Sequence, residues 1–271
     1  MQQPSPDRLF AEIEASTAIL AGIISDYDPG LAIPTCPDWT LRTLATHVGR
    51  VHRWAAEIVS TRTVEGIPFK AAPDGIAPAD PAAQADWLLA GSRRVIDAIK
   101  AAGAEPVWAF GAIAPATFWA RRQAHETMVH RVDAELAAGR DVVIDSGLAA
   151  DAIDEWLEVM SGPRYGRPDA RIAALPAGAA LHVHATGLHG SAAPGSAVAG
   201  AATDGTGEWL ISHAGEAILV RQAHADADVT VAGPADRLLL VLVRRLPPST
   251  TGITVSGNAA LLTAWLEGTP F

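Results

Sequence analysis

The chain has 271 residues, of which 49% are hydrophobic and 18% charged, with a formal net charge of −10. Such a chain can bury a sizeable core as one large or two ordinary domains, and its composition argues against general disorder. The arginine pairs Arg93–Arg94, Arg121–Arg122 and Arg244–Arg245 stand apart from one another; without a basic stripe to meet phosphates, no nucleic-acid partner is expected.

The first half reads as helices. Residues 6–27 form an amphipathic stretch, with Leu9, Ile13, Leu20, Ile23 and Ile24 near helical spacing, ended by Asp28-Pro29-Gly30. After a loop holding Pro34 and Pro37, Asp38 is placed to cap a second helix running from Trp39 to about residue 60. Its apolar stripe is Leu41, Leu44, Val48, Val51, Ala55 and Ile58. Residues 61–80 read as a long connection, and 81–102 as a third helix. A fourth begins near Pro115, a residue type suited to the first turn, and stops at Gly139; a shorter helix covers 146–160. Long helices of this kind predict a bundle.

Composition changes at Ser161, where SGPRYGRP reads as a linker. Short alternating segments at 181–185, 208–211, 217–220 and 229–231 then read as strands. Residues 187–206, mostly Gly, Ala and Ser, read as a mobile hairpin loop. Pro234 opens a Leu- and Val-rich helix that ends near Arg245-Leu246-Pro247. A strand at 253–255 and a helix at 259–267 close the chain. The expected organisation is therefore an all-α bundle over 1–161, a linker over 162–180, and a small α+β domain over 181–271.

The lone Cys36 cannot form an intrachain disulfide and suits a reducing compartment; it reads as a small buried apolar group rather than a nucleophile. The opening MQQPSPDRLFAEIEA lacks a basic segment followed by an apolar one, so it is not read as a secretion signal. No run of roughly 18 apolar residues occurs, so no membrane association is expected and the protein is read as cytoplasmic.

The segment richest in chemistry is FWARRQAHETMVHRVDAE, in the fourth helix. At roughly 100° per residue, Glu126 and His130 lie one turn apart on one side, while His125 and His130 diverge by roughly 140°. A carboxylate–imidazole pair at i, i+4 supplies two of the three protein ligands that a catalytic zinc needs. It departs from the H-E-x-x-H pattern because the second histidine comes one residue late. A third ligand must come from another helix. His47 and His52 flank the stripe of the second helix on opposite sides, and geometry alone does not choose between them. His125 lies mid-stripe as a core histidine, or as the ligand if the helix is rotated. His182 and His184, at i, i+2, share one face of a strand and read as a surface pair. No nucleophile elbow, phosphate loop or dinucleotide fingerprint is present.

The stretch CPDWTLRTLATHVGRVHRWAAEIV resembles the opening of the mycothiol-dependent maleylpyruvate isomerase family, and WARRQAHETMVHRVDAE resembles that family's second motif. The run from GEWLIS through DADVTVAGPADRLLLVLVRRL to ITVSGNAALLTAWL is similar to its second domain. The resemblance implies a DinB-like four-helix bundle that binds zinc through His47, Glu126 and His130, followed by a sterol-carrier-like α+β domain. It also implies an active-site arginine, carried onto Arg244 or Arg245. The implied cosubstrate is mycothiol, and the implied partner a small electrophile or oxo-acid, handled by a monomer or homodimer of an actinobacterial kind. Isomerisation and thiol transfer both fit. Two further readings are a non-haem iron enzyme, since two histidines and a carboxylate also make that triad, and a metal-containing binding protein without turnover.

Overall fold

The computed structural model describes residues 3–161, 175–188, 207–214 and 217–269. Two compact units divide at Val142/Val143.

The first unit holds four long helices: α1 (Pro6–Asp26), α2 (Leu41–Thr61), α3 (Pro81–Ala102) and α4 (Phe118–Ala137). Each start has a local cause. Ser5 caps α1 by accepting from Arg8 N, with Pro6 in the first turn, and Asp80 caps α3 by accepting from Ala83 N at 2.9 Å. The expected cap of α2 is corrected. Asp38 has a left-handed backbone (φ 67°), and Thr40 caps instead, accepting from Thr43 N. A cap of this type contributes about 1 kcal/mol. The preceding loop is closed by Trp39 N donating to Cys36 O and Ile33 N to Trp39 O.

α1 packs on α3 and α4, and α2 on the same two helices. Leu20, Ile23, Ile24, Leu41, Leu44, Val48 and Leu88 form a shared core. α2 and α3 approach closely because Gly49 has no side chain: a Cβ there would sit 2.0 Å from the Trp87 ring. The sequence reading missed a hairpin between α3 and α4, β1 (Pro106–Ala109) and β2 (Ala112–Pro115). Phe110 and Gly111 form its turn at positive φ. Pro115 therefore ends a strand, and α4 begins at Phe118.

The second unit carries α5 (Ser146–Ser161), β3 (Ala180–Thr186), β4 (Glu208–Ala214), β5 (Ala217–Gln222), β6 (Val229–Pro234), α6 (Ala235–Leu242), β7 (Thr254–Gly257) and α7 (Ala259–Gly268). The strands form one sheet in the order β5-β4-β3-β6-β7, antiparallel except for the β3–β6 pair. Leu181, Val183, Trp209, Ile211, Val229 and Val231 are buried along it. α5 belongs here, packing on α6 and β5, and Trp209 Nε1 and Gln222 Nε2 both donate to Asp154 in α5. The boundary thus falls at Val142/Val143 and not after residue 161. The expected linker at 162–180 and loop at 187–206 lie largely outside the described residues.

His182 is not half of a surface pair. It is 3% exposed, and its Nε2 lies 3.0 Å from a carboxylate on the neighbouring strand, Glu208. Among the described residues, no helix is long and apolar enough to cross a membrane.

Candidate metal centre

α2 and α4 together bring His47, Glu126 and His130 to one point. His47 Nε2 lies 3.1 Å from Glu126 Oε1, and His130 Nε2 lies 3.3 Å from the same oxygen. One ligand atom from each of the three lies within 4.8 Å of the others. The i, i+4 spacing on α4 stacks the carboxylate and imidazole on one face. α2 adds the other imidazole from the turn that also presents Val48 to the core.

The neighbours fix these groups. His130 Nδ1 lies 2.8 Å from Asp133 Oδ2, so its Nε2 is the nitrogen turned toward Glu126. Asp133 is fully buried and also accepts from Thr35 Oγ1 at 2.6 Å and Cys36 Sγ at 3.5 Å. The loop before α2 is thereby tied to the far side of His130. Arg122 Nη2 donates to Glu126 Oε2 at 3.2 Å, leaving Oε1 to face the imidazoles. Trp39 covers the cluster, its ring 4.9 Å from that of His47 and stacked on His130 at 5.9 Å. The Phe69 ring also lies 5.9 Å from that of His47 and continues into an aromatic wall with Trp54, Trp108 and Phe110.

Burial pushes the Glu126 carboxyl up. Hydrogen bonds from His130 and His47, with the charges of His130 and Arg122, outweigh that and hold it well below the usual carboxylate range. Burial likewise opposes charge on His130, but its bonds with Asp133, Cys36 and Glu126 lift it well above the ordinary imidazole value. Glu126 is thus favoured as the ionised carboxylate, facing hydrogen-bond donors on both oxygens.

This donor set fits a divalent ion. Two ligands about 2.0–2.1 Å from one ion at a tetrahedral angle stand roughly 3.3 Å apart, close to the observed 3.1 and 3.3 Å. A ligating imidazole whose other nitrogen is held by a carboxylate is the usual outer-shell pattern of such centres, and Asp133 provides it.

The other sequence candidates lie elsewhere. His52 is fully buried, and its Nε2 pairs with Thr127 Oγ1 at 2.9 Å. Burial, reinforced by the charge of Arg53, lowers its pKa to about 3. His125 is buried and outside the cluster. Arg244 and Arg245 follow α6 in the second unit. Arg244 is exposed with φ 61°, and Arg245 is buried with Nη1 donating to Val243 O at 2.8 Å. Sequence reasoning missed Asp133 and Trp39. The signal for Asp133 was an acid three residues after His130 on the same helix face.

Family comparison matches residues 9–135 to the mycothiol maleylpyruvate isomerase N-terminal domain and residues 147–264 to the C-terminal domain of the same isomerases. Among solved structures, the chain is similar to a mycothiol-dependent maleylpyruvate isomerase and to a histidine-to-alanine variant of it. The TM-scores are 0.58 and 0.60, at 14% identity, over 94% of this chain and 96% of each of those. No curated protein matches the chain significantly. The second family match begins within one residue of α5, which agrees with the division seen in the fold. Two domain matches in series, covering most of the sequence in the family's order, place this chain in the mycothiol-dependent maleylpyruvate isomerase family.

Proposed function

We propose that the protein is a zinc-dependent enzyme that activates mycothiol for addition to an electrophile. The carrying observation is the convergence of His47 Nε2, Glu126 Oε1 and His130 Nε2. In this reading the helical unit is a DinB-like four-helix bundle, and those three residues hold the ion. When bound, a divalent ion with three protein ligands offers an open position at which a thiol loses its proton, although a free thiol of pKa about 8.5 stays mostly protonated at neutral pH.

The chain's own residues prepare that position. Asp133 fixes the orientation of His130, and Arg122 fixes that of Glu126. Trp39 and Phe69 limit water around the imidazoles, which strengthens electrostatic interactions there. The activated thiolate adds to the cis double bond of an oxo-acid, forming a carbon–sulfur bond as the double bond becomes single. Rotation follows, and expulsion of the thiolate re-forms the bond as trans. The resemblance assigns recognition of a substrate carboxylate to Arg244 or Arg245, a guanidinium being able to hold such a group by paired hydrogen bonds. The same preparation serves thiol transfer, in which the adduct is kept.

The test is incubation of the zinc-loaded protein with mycothiol and maleylpyruvate, beside a panel of other electrophiles. The trans isomer or a thiol adduct is expected, falling to background in His47→Ala. Formation of neither product with any electrophile would overturn the enzymatic reading.

A further inference from the structure

The sheet of the second unit builds another convergence of metal-type donors, independent of the helical cluster. β3 presents His182 and His184 on one face, as the alternation of a strand requires. β4 runs antiparallel beside it, with Glu208 directly opposite His184. β5 pairs with β4 through Gln222 opposite Trp209, and one more backbone bond, Ala223 N to Glu208 O, carries the chain past the strand end and delivers His224 to the same spot. Three neighbouring strands thus meet at one corner of the sheet.

The geometry there points to a ligand. His182 Nε2 lies 3.0 Å and His224 Nδ1 2.5 Å from the same oxygen, Glu208 Oε2. His184 Nε2 lies 3.8 Å from Oε1, and its ring stacks on His182 at 6.0 Å. Glu208 is 2% exposed, yet imidazoles are the only polar partners of its side chain among the described residues. A buried carboxylate needs a compensating charge, and an arginine or lysine would give it directly. Imidazoles are instead the commonest protein metal ligands, each offering a ring-nitrogen lone pair. Two imidazoles and a carboxylate, each with a ligand atom within 4.8 Å of the other two, compensate one another best around a divalent cation.

We propose that His182, Glu208 and His224 form a second divalent-cation site, of the borderline class that imidazole and carboxylate share, with zinc its foremost occupant. Two ligands are buried and the third, His224, has a side chain 69% exposed, so an ion reaches the site from solvent. His184 is a nearby fourth donor. Occupancy would pin the segment after β5 to β3 and β4.

The experiment is a zinc titration of the full chain after chelator stripping, read by competition with a chromophoric chelator and repeated with cobalt for its visible ligand-field absorption. Two equivalents are expected for the parent protein, and one for His224→Ala and for Glu208→Gln. The double variant His47→Ala/His130→Ala should also keep one, with cobalt absorption that disappears when His224→Ala is added. His224→Ala alters an exposed position outside any strand, so its fold should survive even if Glu208→Gln does not; circular dichroism checks this. Zinc uptake by His224→Ala equal to that of the parent protein would overturn the second site, whatever the helical cluster does.

Discussion

His130 and Asp133, three residues apart on α4, share a hydrogen bond of 2.8 Å between Nδ1 and Oδ2. That bond fixes the tautomer and ring plane of the imidazole whose Nε2 faces Glu126. Asp133→Asn can still accept from one side but no longer carries the charge that makes the ring a better donor. Outer-shell changes of this kind weaken metal binding about 10- to 100-fold. A competitive zinc titration checks it; unaltered affinity would mean that Asp133 serves only the loop at Thr35.

Loss of single histidines should separate the ligands from their neighbours. His47→Ala, Glu126→Ala and His130→Ala should each remove the metal of the helical unit. His52→Ala and His125→Ala should retain most of it, because neither side chain joins the cluster. Metal analysis of the purified variants, made in a His224→Ala background to isolate the helical site, reads this directly. Loss with His125→Ala and retention with His130→Ala would reverse the assignment.

Metal uptake should release protons. Without metal, His130 is held well above the ordinary imidazole value, so it carries a proton at neutral pH that a cation must displace. Apparent affinity should therefore fall by about tenfold per pH unit below that pKa. Calorimetric titration in buffers of different ionisation enthalpy counts the protons; no release at neutral pH would contradict the raised basicity.

His52 should make the metal-free protein acid-sensitive. Its folded pKa of about 3 lies below the ordinary 6.5, so between these values the unfolded chain binds a proton that the native one does not. Stability then falls as pH drops below 6.5, by about 2 kcal/mol at pH 5. Denaturant titrations of the parent and of His52→Asn should converge by that amount between pH 7 and pH 5. A constant gap would show that His52 does not titrate on unfolding.

What could be read from the sequence follows the range of each signal. Glu126 and His130 lie on one helix, so periodicity alone pairs them. His47 and His52 flank the same stripe, and only the direction from which α4 packs separates them, which a helical wheel does not contain; the resemblance made that choice. Asp133 and Trp39 act through contacts across the loop at Thr35 and Cys36, too irregular for a periodic pattern. The 146–160 helix was legible, but its allegiance was not, because Asp154 meets Trp209 and Gln222 only after folding. The β1–β2 hairpin is four residues on each side with an Ala-rich pattern that resembles loop as much as strand. His182 and His184 were correctly placed on one face, yet their partner Glu208 comes 26 residues after His182, on a neighbouring strand.

Zinc K-edge X-ray absorption, on His224→Ala protein carrying one equivalent of zinc, addresses the proposed chemistry most directly. Without thiol, the first shell should contain only nitrogen and oxygen neighbours. On adding mycothiol, one sulfur should enter at about 2.3 Å. A first shell unchanged by saturating mycothiol would contradict thiol activation at His47, Glu126 and His130.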